Sequence, residues 1–201
     1  MPVTTDIDRL RNHIAAGELH AAGDALDTLR RRWPREPDLF SHEVVTEIRD
    51  LADALTTARL AAIDPTLRDV FGFSSFRPGQ REIVEAVLAG RDTVGIMPTG
   101  AGKSLTFQMA ARILGGTTLV VSPLIALMKD QVDALHEMGM SATFLNSSID
   151  PEERARRVDA MRRGEYELVY AAPEGIEASV GWALDGVDLR LIAVDEAHCI
   201  S

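Results

Sequence analysis

An α/β fold with a parallel sheet, preceded by a small α-helical extension, is the architecture that this sequence predicts. Beyond residue 64, short apolar segments alternate with segments of helical pattern, whereas residues 1–64 show helical spacing and lack β-branched runs. Strands that are apolar along their whole length are typical of parallel sheets covered by helices on both faces. The break at Ile63-Asp64-Pro65 divides the chain into a helical extension, residues 1–64, and a second domain, residues 65–201.

The extension is expected to form a helical hairpin or a small bundle. Trp33-Pro34-Arg35-Glu36-Pro37 breaks it into two amphipathic stretches, and Gly17 and Gly23 interrupt the first. A plain structural extension and a module that binds a protein partner are both compatible with this pattern. The apolar residues at helical spacing are Leu10, Ile14, Leu19, Ala22, Leu26 and Leu29, then Val44, Ile48, Leu51 and Leu55.

Residues 65–201 predict five strands in alternation with helices. Asp150-Pro151-Glu152-Glu153 is a favourable helix start, because Asp caps a helix well and Pro and Glu fit its first turn. Glycines follow the helices and end them. The helices are expected at Gln80–Leu88, Lys103–Leu114, 124–138 and from 150 to about 163, and the strands at 93–96, Thr117–Val121, Ala142–Leu145, Leu168–Ala171 and Leu189–Val194.

Composition excludes several classes of protein. No apolar run approaches the roughly 20 residues of a membrane helix, and the N-terminus lacks the pattern of a secretion signal. Cys199 is the only cysteine, which excludes an intrachain disulfide framework and a multi-cysteine zinc site. The net charge of −10 argues against a simple basic-patch DNA binder, although a few local contacts to a DNA backbone remain compatible with it. A cytoplasmic location is the expectation; association with the nucleoid is expected if the chain is bacterial and acts on DNA.

A phosphate-binding loop, or P-loop, is indicated by the segment Met97-Pro98-Thr99-Gly100-Ala101-Gly102-Lys103-Ser104. It stands between a predicted strand and a predicted helix, so that backbone N–H groups and a helix N-terminus can surround a phosphate. Residues 99–104 are therefore the candidate ATP-binding residues, with Lys103 reaching the β- and γ-phosphates and Ser104 binding Mg²⁺. The competing interpretation is a chance turn between a strand and a helix.

A second motif, Asp195-Glu196-Ala197-His198, follows the last predicted strand. A carboxylate at the carboxyl end of such a strand faces the crevice where ligands bind in open α/β sheets. Asp195 suits a contact to the magnesium ion, and Glu196 suits orienting or deprotonating the attacking water. An exposed acidic turn is the alternative, and the P-loop upstream argues against it.

Four segments occur in order within residues 67–201: Phe71-Gly72-Phe73-Ser74-Ser75-Phe76-Arg77-Pro78-Gly79-Gln80, the P-loop, Ser122-Pro123-Leu124-Ile125-Ala126-Leu127-Met128-Lys129-Asp130-Gln131, and Asp195-Glu196-Ala197-His198-Cys199-Ile200-Ser201. Together they closely resemble the RecQ family of superfamily 2 ATP-dependent DNA helicases. The first segment and the Cys-Ile-Ser tail separate RecQ proteins from other superfamily 2 members. The resemblance implies a RecA-like P-loop NTPase sheet, ATP and Mg²⁺ as cofactors, and DNA, single-stranded and forked, as partner.

The resemblance also implies roles for single residues. Phe73, Arg77 and Gln80 match the family's adenine-reading segment, and His198 is expected to couple the ATP state to the DNA side. The segment that begins at Ser122 matches a motif that lines the single-strand path in the family. Leu124, Ile125 and Leu127 are expected in the core, and a plain helix-entry loop is an equal alternative for residues 146–148. The candidate DNA-binding residues are Ser122, Pro123, Asn146 and Ser147.

Two positions depart from the family pattern. Met97 stands where a strict P-loop has Gly, and Gly175 stands where the family usually has Arg, which removes one DNA or inter-motif contact. A family member would continue past Ser201 into a second motor domain that supplies an arginine finger. Residues 65–201 are therefore expected to be an incomplete first motor domain, with 3′-to-5′ DNA unwinding as the activity of the whole protein. A non-catalytic nucleotide-binding or interaction fragment is the alternative function.

Overall fold

The computed structural model of the chain describes residues 2–98, 100–173 and 183–197. Its first part is a small helical bundle, as predicted. α1 spans Val3–Ala15, α2 spans Leu19–Arg32 and α3 spans His42–Ala61, with a 3-10 turn at Pro37–Leu39. The apolar faces of the three helices share one core, built around Ile7, Leu10, Leu26, Leu29 and Leu55.

A short helix, α4 (Ile63–Asp69), begins at the predicted domain boundary. Its first turn contains Pro65, a position where the missing N–H of proline is not needed. Ile63 and Leu67 are buried in the core of the second part of the chain and not in that of the helical bundle. This packing agrees with a division near residue 64, which stays a prediction.

The remaining helices lie close to their predicted positions. α5 spans Gln80–Leu88, α6 spans Lys103–Leu114, α7 spans Ile125–Glu137 and α8 spans Pro151–Arg162. The Asp150 carboxylate accepts a hydrogen bond from the Glu153 amide at 2.9 Å, which confirms the predicted cap of α8. At the end of α6, Gly115 has a φ of 71°, a left-handed conformation that glycine adopts without steric strain.

Four described strands form one sheet in which every pairing is parallel. β1 is Thr117–Val121, β2 is Ala142–Leu145, β3 is Leu168–Ala171 and β4 is Leu189–Val194, all at the predicted bounds. The order is β2-β3-β1-β4. The carboxyl ends of the strands therefore share one edge, and the loops that follow them meet there.

The predicted strand at residues 93–96 is wrong. This segment pairs with no strand in the described part of the chain, and Val94 and Ile96 are 90% and 95% exposed. A cleft of about 990 Å³ is lined by residues 91–97 and by residues 190–194 of β4. The residues of this segment are typical of a strand in type. A strand forms, however, only where a neighbouring strand pairs with its backbone N–H and C=O groups.

The expectation that helices cover both faces of the sheet fails at β4. Ile192 and Val194 are 56% and 50% exposed, whereas all five residues of β1 are buried. β3 is also fully buried, and its Tyr170 packs edge-to-face on Phe107 of α6. Within the described residues, no helix combines the length and the apolar character needed to cross a membrane.

Candidate nucleotide-binding site

The P-loop leads into α6 through two glycines. Gly100 and Gly102 both have a φ of 78°, and Gly102 is the residue that precedes the helix. A residue with a Cβ is strained in this left-handed region, so the turn requires glycine at both positions. Lys103 is the first residue of α6, which places the N-terminal N–H groups of the helix beside its side chain.

Lys103 and Glu196 join the two predicted motifs. The Lys103 Nζ atom donates to Glu196 Oε1 at 2.6 Å, although 93 positions separate the residues. β4 delivers Glu196 to this place, because the Asp195 amide still donates to the Val121 carbonyl of β1 at 2.8 Å. Glu196 then takes a φ of 49°, a strained value for a residue with a side chain.

The charges of the site act on one another. The hydrogen bond to Glu196 raises the pKa of Lys103, against a smaller opposing effect of burial. Burial raises the pKa of Asp195, and the negative charge of Glu196 raises it further. The Asp195 carboxylate accepts a hydrogen bond from the Glu196 amide at 3.0 Å, which works in the opposite direction. The protein around Asp195 stabilises its negative charge poorly. A cation bound near Asp195 would therefore stabilise that charge.

These residues fit an ATP–Mg²⁺ pair. Lys103 suits the phosphates, and Ser104, half-buried in the first turn of α6, together with Asp195 offers hard oxygen ligands for Mg²⁺. The described residues include no group of three or more His, Cys, Asp and Glu side chains that could hold a metal ion. Mg²⁺ commonly takes one or two protein oxygens and completes its shell with phosphates and water, so this sparse set is suitable.

Gln80 is bound to the P-loop and is only 2% exposed. Its Nε2 atom donates to the Ala101 and Gly102 carbonyls, both at 3.0 Å, and its Oε1 atom accepts from the Arg77 amide at 2.8 Å. Arg77 donates from its guanidinium to the Gly100 carbonyl. The segment predicted to read adenine thus fixes the backbone of the P-loop. Phe73, the third residue predicted there, is 51% exposed.

A second cleft, of about 430 Å³, lies along the segment that contains Arg77. Sequence reasoning missed two of its residues, Asp64 and Arg81. The Arg81 guanidinium lies 5.1 Å from the centre of the Phe76 ring and forms an ion pair with Asp64. The only signal in the sequence for Arg81 was its position directly after Gln80. Nothing in the sequence indicated Asp64, which lies in α4.

The candidate DNA-binding residues are not all at the surface. Ser122 is 2% exposed, and its hydroxyl accepts from the Leu124 amide at 3.4 Å. Asn146 is 3% exposed, and its Oδ1 atom accepts from the amide and hydroxyl of Ser148 at 2.9 and 2.7 Å. Pro123 is half-buried and Ser147 is exposed. Thr99 and His198, also predicted site residues, lie outside the described residues, as does Gly175.

The core position expected for Leu124 and Leu127 is wrong, because they are 43% and 46% exposed at the start of α7. Ile125 does pack, partly buried, against the core. The face that α7 turns to the sheet is occupied instead by Met128, Val132 and Leu135. An apolar surface is left beside the carboxyl end of β1.

Comparisons with known proteins agree with this geometry. Residues 77–201 match the family model described as DEAD/DEAH box helicase. The chain is 46% identical over 138 residues to the ATP-dependent DNA helicase RecQ of Bacillus subtilis (strain 168), which covers 67% of this chain and 23% of that protein. It is 43% identical over 143 residues to the ATP-dependent DNA helicase Q1 of Rattus norvegicus, which covers 67% of this chain and 23% of that protein.

A third relative is the probable ATP-dependent DNA helicase RecS of Bacillus subtilis (strain 168), 41% identical over 144 residues, which are 71% of this chain and 29% of that protein. The chain thus spans less than a third of the length of these relatives. The matched region contains the P-loop, the Lys103–Glu196 pair and all four described strands. The chain belongs to the DEAD/DEAH box helicase family, and within it to the RecQ group.

Proposed function

We propose that this chain is the ATP-binding part of a RecQ-type 3′-to-5′ DNA helicase, which binds single-stranded and forked DNA and couples ATP hydrolysis to the unwinding of the duplex. The observation that supports it best is the 2.6 Å contact between Lys103 Nζ and Glu196 Oε1. This contact joins the residue proposed to bind phosphate to the residue proposed to activate water, at the carboxyl edge of the sheet. The similarity to helicases named ATP-dependent supports the same conclusion.

The P-loop residues bind the nucleotide in this proposal. Backbone N–H groups of residues 99–104 and the N-terminus of α6 receive the phosphates, and Lys103 neutralises their charge. Ser104 and Asp195 would hold Mg²⁺, which would supply positive charge to the phosphate oxygens. Phe73, Arg77 and Gln80 contact the base, and Gln80 can do so through the second lone pair of Oε1 while its N–H groups stay on the P-loop.

Glu196 is the residue proposed to accept a proton from the attacking water. Its Oε1 atom is engaged by Lys103 in this structure. Lys103 must turn away from Glu196 to reach a phosphate. Phosphate binding by Lys103 therefore frees the Glu196 Oε1 atom to act on the water. As the water oxygen bonds to the γ-phosphorus and the bond from that phosphorus to the bridging oxygen of ADP breaks, the Glu196 carboxylate takes the water proton at Oε1 or Oε2. Asp195 would stay ionised and could hold Mg²⁺. His198 is proposed to relay this change toward DNA.

The proposed DNA surface lies at the start of α7 and at the loop after β2. Pro123 and Ser147 contact the strand, and the exposed Leu124 and Leu127 give its bases an apolar surface. Ser122 and Asn146, which are buried, act by holding these loops. Since the chain carries a net charge of −10, affinity for DNA must come from such local contacts.

Lysine substitutions test the nucleotide site directly, because the chain has two lysines, Lys103 and Lys129. Lys103→Ala is expected to weaken Mg-ATP binding by 10-fold or more, on the order of the loss of a charge-assisted hydrogen bond. Lys129→Ala is the matched control, because Lys129 is exposed on α7 and pairs with Asp133. Titration calorimetry measures both. Equal affinities of Lys103→Ala and the unmodified chain would refute the P-loop assignment.

Turnover separates the proposal from its alternative, a module that binds nucleotide without hydrolysing it. We expect the 201-residue chain alone to hydrolyse ATP negligibly, with or without single-stranded DNA, because an arginine finger strongly accelerates this reaction in such motors and the chain spans less than a third of the length of its relatives. A protein that joins this chain to a RecQ-type second domain is expected to show DNA-stimulated hydrolysis that Glu196→Gln abolishes. Binding without DNA-stimulated turnover in that protein would favour the alternative.

A further inference from the structure

Helix α2 of the extension touches the two elements that carry the nucleotide site. His20 donates from Nε2 to the Arg112 carbonyl, in the last turn of α6, at 2.9 Å. Arg190, near the start of β4, donates from its guanidinium to Asp24 and Asp27 of α2. These contacts join residues that are 92, 166 and 163 positions apart. One helix thus holds both α6 and β4.

The contact borders the cleft of about 990 Å³, which Gly23, Asp27, Arg59 and Arg190 also line, and it brings three glycines close to side chains. A Cβ on Gly115 would lie 2.5 Å from His20 Cγ, and a Cβ on Gly116 would lie 2.6 Å from Arg190 Cγ. Within α2 itself, a Cβ on Gly23 would lie 2.7 Å from Nη2 of Arg59, which stands beside Arg190. Glycine at these three positions lets the extension, α6 and β4 approach one another. The Arg190 side chain is 9% exposed and also contacts Asp188 at 2.8 Å.

The held ends lie opposite the site. α6 runs 12 residues from Lys103 to its C-terminal end, about 18 Å. β4 runs six residues toward Asp195 and Glu196, about 20 Å. α2 therefore grips both elements at the far edge of the sheet, and their other ends meet at the contact between Lys103 and Glu196. A shift of α6 along β4 would change that contact, since helices and strands transmit displacement as rigid elements.

We propose that α2 is a clamp that sets the position of α6 relative to β4, so that His20, Asp24 and Asp27 are positioning residues for the Lys103–Glu196 pair. This inference rests on the proposed nucleotide function of that pair, but it assigns a role to the extension, which the family match from residue 77 does not cover. In this proposal the extension contributes to nucleotide binding by the second part of the chain. Its Asp24 and Asp27 hold β4, and its His20 holds α6.

Charge-neutral substitutions test the clamp in the full chain. Asp24→Asn combined with Asp27→Asn removes the two α2 charges that hold Arg190, keeps the side-chain shapes and leaves the contact of Arg190 with Asp188 in place. Asp8→Asn is the control, because Asp8 lies on α1 and pairs with Arg11 in the same helix. Mg-ATP affinity, measured well below the unfolding temperature, is expected to fall about 5-fold or more in the double variant and to stay unchanged in the control.

The position of Lys103 is measured separately, by NMR at one fixed pH. A chain labelled at lysine Cε gives two signals, from Lys103 and Lys129. The Lys103 signal of the nucleotide-free double variant is expected to move while the Lys129 signal stays in place. His20→Ala is expected to move it too, and His20→Gln, which keeps a donor for the Arg112 carbonyl, is expected to restore it in part.

The outcomes separate the two proposals. A lower unfolding temperature with unchanged Mg-ATP affinity and an unmoved Lys103 signal would overturn the clamp and leave α2 a structural support. If the unmodified chain binds no Mg-ATP, the nucleotide proposal fails, and the Lys103 signal still decides about the clamp. If the double variant does not fold, Asp24→Asn alone supplies the same comparison, because Asp24 is the more exposed of the two carboxylates.

Discussion

The Gln80 side-chain amide donates to the Gly102 carbonyl at 3.0 Å, and the same nitrogen lies 2.8 Å from where a Cβ on Gly102 would stand. The residue proposed to read the base is therefore in direct contact with the loop proposed to bind the phosphates. A residue that was predicted to read adenine is already part of the wall that shapes the P-loop. The two roles of the Gln80 side chain can be tested separately. Its amide N–H groups bind the P-loop, whereas its Oε1 atom has one lone pair left to accept from the base.

We expect Gln80→Ala to weaken ATP and GTP binding together and to abolish the preference for ATP. Gln80→Glu keeps an oxygen acceptor for the adenine amino group but loses both N–H donors to the Ala101 and Gly102 carbonyls. It is expected to weaken both nucleotides while retaining a preference for ATP. Competition of ATP and GTP against a fluorescent nucleotide measures this. An unchanged ATP preference in Gln80→Ala would refute base reading by Gln80.

The contact between Lys103 and Glu196 predicts how Lys103 titrates. The hydrogen bond to Glu196 raises the pKa of Lys103, because it favours the charged ammonium. Glu196→Gln removes the negative charge, so the pKa of Lys103 is expected to fall. The lysine NMR signals followed over pH measure it, with Lys129 as the internal reference, since its pKa is raised by Asp133 and is independent of residue 196. A Lys103 titration curve that does not move would show that the pair is absent in solution.

Asp195 predicts the acid limit of Mg²⁺-dependent binding. Burial raises the pKa of Asp195 above its usual value, and the Glu196 charge adds to this. Mg²⁺ binds the ionised carboxylate, so Mg-ATP affinity is expected to fall on acidification at a higher pH than an ordinary aspartate would give. Glu196→Gln lowers the pKa of Asp195 and should shift this fall to lower pH. Glu152→Gln, an exposed change on α8, should leave it in place; an upward shift in Glu196→Gln would contradict the assignment.

The bounds of the four strands were predictable from the sequence, whereas which segments lie against one another was not. β1 and α6 have the predicted bounds because an apolar run and a glycine stop act locally, through sequence alone. Residues 93–96 have the same composition as a strand but lie exposed beside a cleft. Leu124 and Leu127 show the same limit, since the apolar character of a side chain does not show whether another part of the protein covers it.

The site was predictable where residue type determines the chemistry. Lys103, Ser104, Asp195 and Glu196 follow from the motifs and from the rule that loops meet at the carboxyl edge of parallel strands. The hydrogen bonds of Gln80 to the P-loop and of His20 to α6 were not predictable, because they join residues 22 and 92 positions apart whose side chains have no fixed partner type. Such contacts depend on packing, which sequence patterns do not determine.

Tyr170 predicts a stability limit at high pH. Burial raises the pKa of Tyr170 to about 12, from an ordinary value of 10.0. Its stabilising contribution is therefore complete below pH 10 and is lost as the pH rises toward 12, because the buried phenolate is disfavoured. The chain has two tyrosines, Tyr166 and Tyr170, so absorbance at high pH resolves the late titration step.

Tyr170→Phe is the matched variant for this prediction. It should remove the late titration step and change the free energy of unfolding at neutral pH by less than about 1 kcal/mol, since the hydroxyl makes one hydrogen bond at the limit of length, from Gln108 at 3.5 Å. Unfolding between pH 10 and pH 12 should also become less steep in pH. A late step that persists in Tyr170→Phe would assign it to Tyr166.

Neighbouring residues of one loop separate DNA contact from loop support. Asn146→Ala removes the acceptor of two Ser148 hydrogen bonds in a buried position, so it should lower the free energy of unfolding by about 1–3 kcal/mol. Ser147→Ala changes an exposed side chain and should alter stability by less than about 0.5 kcal/mol. Fluorescence anisotropy with a labelled oligothymidylate should show weaker binding for Ser147→Ala at equal stability. If its binding is unchanged while that of fully folded Asn146→Ala falls, the DNA contact belongs to Asn146 and the loop must open to expose it.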